Sequence, residues 1–215
     1  MAEPNAVAEV AEEVVPGVLR WGVSNERIGG AESTSHAVAG PDGTVLLDPV
    51  RLAGDALSSL GDVTAILLTA QCHQRSAWRY RRELGVPVWA PEGTRPMEEE
   101  PDRRYAAGDL LPGGVRAVHT PGPEEVHFSF LREEAPRVLF CADLLTNYAG
   151  RGLDFVPLRF HDDPEQTRRT VEGFLELDFD ILCLDHGSPV VDDPHAAVGA
   201  LLARTAGSPR DTPGV

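Results

Sequence analysis

An α/β fold with helices covering the faces of its sheets is predicted by three features of this 215-residue chain. Two short runs, Val63 to Thr69 (VTAILLT) and Phe179 to Leu184 (FDILCL), are apolar almost throughout, as strands buried on both faces are. Two helices are announced by an Asp cap followed by a first-turn Pro, at Asp163-Pro164 and Asp193-Pro194. A strand-rich first section gives way to alternating strands and helices, the order that layers helices on sheets.

The elements follow in turn. Val14 to Gly22 reads as a first strand. His36 to Pro49 reads as a hairpin closed at Pro41-Asp42-Gly43. A short helix spans Leu52 to Leu60, and the buried strand Val63 to Thr69 follows. A polar segment, Ala70 to Arg75, leads into a helix from Ser76 to Leu84, and Pro87 to Ala90 is a short strand. Pro91 to Asp109 is polar and reads as a surface excursion. Val115 to His119, Val126 to Leu131 and Val138 to Cys141 are three more strands, and Asn147 to Phe160 is irregular. The Asp163 helix runs to about Leu177 and the Asp193 helix to about Arg204, with strand Phe179 to Leu184 between them.

The length predicts one domain, at about 150 residues per domain. Its expected bounds are residues 14–206, between a flexible acidic lead over 1–13 and a flexible tail over 207–215. With 19 basic against 34 acidic side chains the net charge is −15, which repels phosphate backbones and argues against nucleic acid as a partner. No apolar run reaches the roughly 18 residues of a membrane span. The acidic start has neither a secretory h-region nor a basic transit pattern, so the expected location is the cytoplasm. Cys72, Cys141 and Cys183 are too few and too scattered for a disulfide framework.

Open sheets bind ligands beyond the carboxyl ends of their strands. The polar groups in that position are Ala70 to Arg75, Pro121-Gly122-Pro123, Asp143 and Asp185-His186-Gly187. The segments that carry them stand in the order PGV, TVLLDP, AILLT, GVPVWAPEG, VHTPGP, HFSF, RVLFCADLL and ILCLDHGSP. That series resembles the metallo-β-lactamase fold superfamily from about Val14 to Leu202. The resemblance implies a four-layer αβ/βα sandwich with its site along one edge of two sheets. It also implies a His-x-His-x-Asp-His motif after AILLT, where this chain has Ala70, Cys72, Gln74 and Arg75. A further metal-binding His is implied where Pro123 stands, a bridging Asp at Asp143 and a last His at His186. Only Asp143 and His186 match the pattern.

A catalytic zinc takes three protein ligands and an open position for water. Ala70 and Pro123 offer no donor, Gln74 is a poor one, and Arg75 is a fixed cation where an imidazole is implied. The dinuclear mechanism is therefore not expected. The leading expectation is a non-catalytic or residually active hydrolase-like protein without a cofactor, holding a small-molecule or protein ligand. A second reading is a hydrolase of a small ester, thioester or lactone. It would use one zinc, iron or manganese ion on Cys72, Asp143 and His186, or on His73 if the loop shifts by one residue. A third is a metal-free enzyme using Cys72 or an Arg75/Asp143/His186 cluster. The bland alternative makes Cys72 and His73 ordinary loop residues and pairs Arg75 with Asp143. His36, His119 and His127 read as packing residues, though His36 could equally face the cleft. His161 and His195 read as exposed, Cys141 and Cys183 as buried thiols, and Asp48 as structural. A homodimer through a sheet edge or helix stays open.

Overall fold

The computed structural model describes residues 3–206. The first sheet runs in the order β1 (Glu12–Val15), β2 (Val18–Asn25), β3 (Ala31–Gly40), β4 (Gly43–Leu47), β5 (Val63–Leu67), β6 (Val88–Pro91), β7 (Arg103–Tyr105). It is antiparallel up to β4 and parallel from β4 onward. The second sheet is ordered β14 (Ile181–Cys183), β11 (Val138–Phe140), β10 (Phe128–Arg132), β9 (Val115–His119), β8 (Leu110–Leu111). A third, small sheet is ordered β13 (Gly152–Phe155), β12 (Leu145–Tyr148), β15 (His186–Gly187). The helices are α1 (Gly54–Ser58), α2 (Ala77–Leu84), α3 (Pro164–Gly173) and α4 (Pro194–Thr205).

Three apolar slabs stack these elements into four layers. The central slab joins the two large sheets, with Val38, Val45 and Leu67 meeting Phe130, Phe140 and Cys183. A second slab packs Trp78 and Tyr80 of α2 against Leu46 and Ile66 of the first sheet. A third packs Val171 of α3 and Val198 and Leu201 of α4 against Leu139 and Leu182 of the second. Alternation along β4 explains the sharing: Val45 and Leu47 face one slab while Leu46 faces the other.

The local signals operate as expected at the helix starts. Asp163 accepts from the Gln166 N–H and Asp193 from the Ala196 N–H, and Pro follows each cap. Several expectations need correction. The first strand is two, because Gly17, at φ 79°, folds Glu12–Val15 back on β2. The acidic lead is not loose over its described part: Ala8 bonds the backbone of Arg51 and Ala53, and Glu3 meets Arg79. The polar excursion after Pro91 sends Tyr105 into the central slab. The irregular stretch after Asn147 includes an ordered hairpin, β12–β13. The expected tail over 207–215 lies outside the described residues. Among the described residues no helix is long and apolar enough to cross a membrane.

Candidate functional site

Each strand-end segment contributes to one cleft floor. After β5 a short 3-10 turn, Gln71–Gln74, ends at Arg75, whose φ of 36° reverses the chain into α2. Asp143 follows β11 beside Ala142, another positive-φ residue, and Asp48 follows β4 at φ 44°. Three side-chain-bearing residues in this sparsely allowed region surround one site, which marks a floor held by its surroundings. His186 sits on β15, registered against Thr146 of β12.

The turn aims His73, rather than its neighbours, at the centre. His73 Nδ1 lies 2.9 Å from Asp48 Oδ2, and Nε2 lies 2.8 Å from Asp143 Oδ2. His186 Nε2 takes the other Asp143 oxygen at 3.0 Å, while its Nδ1 meets the Glu32 carbonyl at 2.6 Å. These four partners are acceptors, and the Thr69 hydroxyl, also 2.8 Å from His73 Nδ1, gives its proton to Asp48 Oδ2, so both nitrogens of each imidazole are placed to donate. The electrostatics agree. Burial works against a charged His73, yet Asp143 and the neighbouring acids hold it well above the ordinary histidine range. Burial also opposes the Asp143 charge, but His73 and then His186 keep its carboxyl well below the usual range. His186 is raised by Asp143 against its own burial.

Arg75 closes the network on its far side. Its Nη2 meets Asp185 Oδ2 at 2.8 Å, and its Nη1 donates to the carbonyls of Thr34 and Asp48 at 2.8 and 2.9 Å. The Asp48, Asp143 and Asp185 carboxylates thus balance the His73, His186 and Arg75 cations. The expected pairing of Arg75 with Asp143 is therefore corrected. The guanidinium turns to Asp185 because two backbone carbonyls hold its other nitrogen. The proposed Arg75/Asp143/His186 cluster is split in the same way, with His73 between its members.

The remaining motif positions are occupied structurally. Ala70 is buried and bridges His127. Gln74 Oε1 accepts from Trp78 Nε1 and the Glu98 N–H, which turns it toward α2. Cys72 Sγ lies 4.0 Å from Asp143 Oδ2, and burial pushes its thiol up to about 11, the reverse of an activated nucleophile. Among the described residues, the groups of three donors that come within 4.8 Å of one another are Cys72, His73 and Asp143, and Asp48, His73 and Asp185. Cys72, Asp143 and His186 do not form such a group. The residues therefore do not fit the dinuclear centre that the resemblance implies.

His127 is buried, as expected, His36 takes the packed of its two open placements, and burial lowers them to about 4 and about 3. Cys141 and Cys183 are buried thiols. Three histidines depart from expectation. His119 is exposed, with Nε2 against the Glu125 carbonyl. His161 is buried on Thr167, and His195 is part-buried and stacked on Phe179. From the sequence, His73 is a ligand only if the loop shifts, Asp48 is structural, and Asp185 is one of the strand-end polar groups with no partner assigned. The adjacency of His73 to Cys72 and the strand-end position of Asp48 were the available signals.

Above the floor opens a cleft of about 690 Å³, walled by Ile28, Val126, Phe155 and Phe160. No family model matches the sequence, and no curated protein matches it. Solved structures do. A metallo-β-lactamase superfamily protein from Sulfolobus tokodaii aligns over 91% of this chain and 89% of its own, at 15% identity and a TM-score of 0.67. A metallo-β-lactamase family protein from Thermus thermophilus aligns over 90% and 81%, at 19% identity and 0.66. A metallo-β-lactamase from Pontibacter korlensis aligns over 91% and 99%, at 15% identity and 0.68. The four layers, the edge cleft and these alignments give one conclusion: the chain has the metallo-β-lactamase superfamily fold.

Proposed function

We propose that this chain keeps the metallo-β-lactamase sandwich and its edge cleft but works without the dinuclear metal centre, as a small-molecule-binding, hydrolase-like protein. One observation carries the reading. Both oxygens of Asp143, the bridging position, are already taken by protonated imidazoles, at 2.8 and 3.0 Å. A metal on Asp143 would have to displace a proton from His73 or His186, both held charged by the same carboxylate. Arg75 supplies fixed positive charge on the far side of the same network.

The floor is also poorly suited to catalysis on its own. Asp143 is too acidic to serve as a general base near neutrality, and the Cys72 thiol is too basic to ionise there. The test is chelator dependence. The melting temperature should be the same with excess EDTA as with excess zinc, and turnover of nitrocefin, p-nitrophenyl acetate and a simple lactone should stay at background. Chelator-sensitive turnover of any of them would overturn the proposal.

A second reading rests on the Cys72, His73 and Asp143 donors, which present S, N and O within 4.8 Å. There one zinc would replace the proton on His73 Nε2 and supply Lewis acidity. Cys72 and Asp143 would complete its protein ligands, and His186 would orient Asp143. Its signature is zinc uptake with release of protons, abolished in Cys72→Ser.

A further inference from the structure

Two chain segments lead away from the cleft floor. One runs from Asp48 through Pro49 and Val50 to Ala53, and the other is Arg75 followed directly by α2. Each begins at a positive-φ residue, at 44° and 36°. The segments are tied to each other. The Ser76 N–H donates to the Pro49 carbonyl at 2.9 Å, and the Leu52 N–H donates to the Tyr80 hydroxyl of α2 at 2.7 Å. Ser76 stands at the cap position of α2 but makes no side-chain cap bond, so this helix start relies on what is packed against it.

Residues 3–8 lie across both segments. The Ala8 N–H donates to the Arg51 carbonyl at 2.9 Å, and the Ala8 carbonyl accepts from the Ala53 N–H at 2.8 Å, forming a parallel bridge to Leu52. Glu3 reaches the first turn of α2, where its two oxygens accept from Arg79 Nε at 2.7 Å and Nη2 at 3.0 Å. Burial opposes the Glu3 charge, yet Arg79 and Ser76 keep its carboxyl below the usual range. The hold is light. Of residues 3–8, Ala6 and Ala8 join the second apolar slab, and an alanine buries little surface. The Arg79 and Glu3 side chains are 39% and 27% exposed, so salt weakens their pair.

We infer that residues 3–8 form a latch behind the cleft floor: they clamp the segment after Asp48 to the first turn of α2, and their release loosens the turn Gln71–Arg75. A side-chain-bearing residue at φ 36° persists only while its surroundings impose that torsion. The latch is one of those surroundings, and it acts from outside the cleft. Ionic strength is its input, because the Glu3–Arg79 pair is half-exposed while the buried Arg75–Asp185 pair is screened far less. The inference concerns the mobility of the floor and does not depend on which ligand the cleft takes.

The test is amide hydrogen exchange on the full chain in EDTA, read by mass spectrometry peptide by peptide. Glu3→Ala should speed exchange over residues 71–79 by about threefold, the fold-change that an exposed ion pair carries, and leave β10 and β11 unchanged. Salt at about 1 M should speed the same residues in the unmodified chain and add nothing in Glu3→Ala. Arg116→Ala removes a comparably exposed pair, with Glu133 on the second sheet, and should leave residues 71–79 unchanged. Cooperative thermal unfolding of each variant shows that it is folded. Unchanged exchange over residues 71–79 in Glu3→Ala overturns the inference. So does an equal rise in β10 and β11, or the same rise in Arg116→Ala, since either would mean a general loss of stability.

Discussion

His73 meets a carboxylate through each ring nitrogen, and Arg75 meets one carboxylate and two carbonyls. These contacts define what the floor tolerates. Arg75→Ala leaves Asp185 buried and unpaired, and burial already lifts the Asp185 carboxyl above its ordinary range. Breaking a buried pair in this way costs about 3 kcal/mol or more, measurable as a lower urea midpoint. Arg75→Lys should recover little, because one ammonium does not reach Thr34, Asp48 and Asp185 from a single fork. The sequence offered the residue types here but not their partners. His73 occupies an unassigned place in the expected motif, and only the turn at Arg75, with its φ of 36°, decides that His73 rather than Gln74 points inward. That torsion depends on the Asp185 and backbone contacts, which lie far away in sequence.

The elements were legible where the signal is local. Both Asp-Pro caps, the Pro41–Gly43 turn and the apolar strand after Asp62 lie where the residues place them. The β12–β13 hairpin was not legible, since its strands Leu145–Tyr148 and Gly152–Phe155 are only four residues each and mix apolar with polar residues. Yet this hairpin carries part of the cleft, and β12 positions His186 through its pairing with β15. Gly187 makes that pairing close: at φ 96°, a Cβ would fall 2.3 Å from the Asn147 carbonyl oxygen. Gly187→Ala should therefore part β15 from β12 and draw His186 off Asp143. The expected loss is about 2 kcal/mol or more from strain and overpacking. Urea unfolding of the variant reads that loss.

At the scale of the molecule, the layered fold follows from strands that share their side chains between slabs, and that much the ordered segments foretold. The sandwich also buries titratable groups. His36 of β3 packs edge-on against Phe140 of the opposing sheet, ring centres 5.1 Å apart. With His36 at about 3 and His127 at about 4 when folded, against 6.5 ordinarily, the unfolded chain binds more protons between those values. The part of the stability carried by these two neutral imidazoles should therefore be full above about pH 6.5 and fall as the pH drops toward 4, whereas the raised His73 and His186 act in the opposite sense above 6.5. The loss is on the order of a few kcal/mol, and His36→Leu should flatten the slope. Urea unfolding across that range reads both.

The central claim is that protons and a guanidinium, rather than metal ions, balance the carboxylates of the cleft floor. Elemental analysis tests it most directly, on untagged protein incubated with zinc, iron and manganese salts and then desalted. The account predicts close to no metal per chain. One ion per chain, lost in Asp143→Ala and in Cys72→Ser, would contradict it and make the Cys72, His73 and Asp143 donors a metal centre.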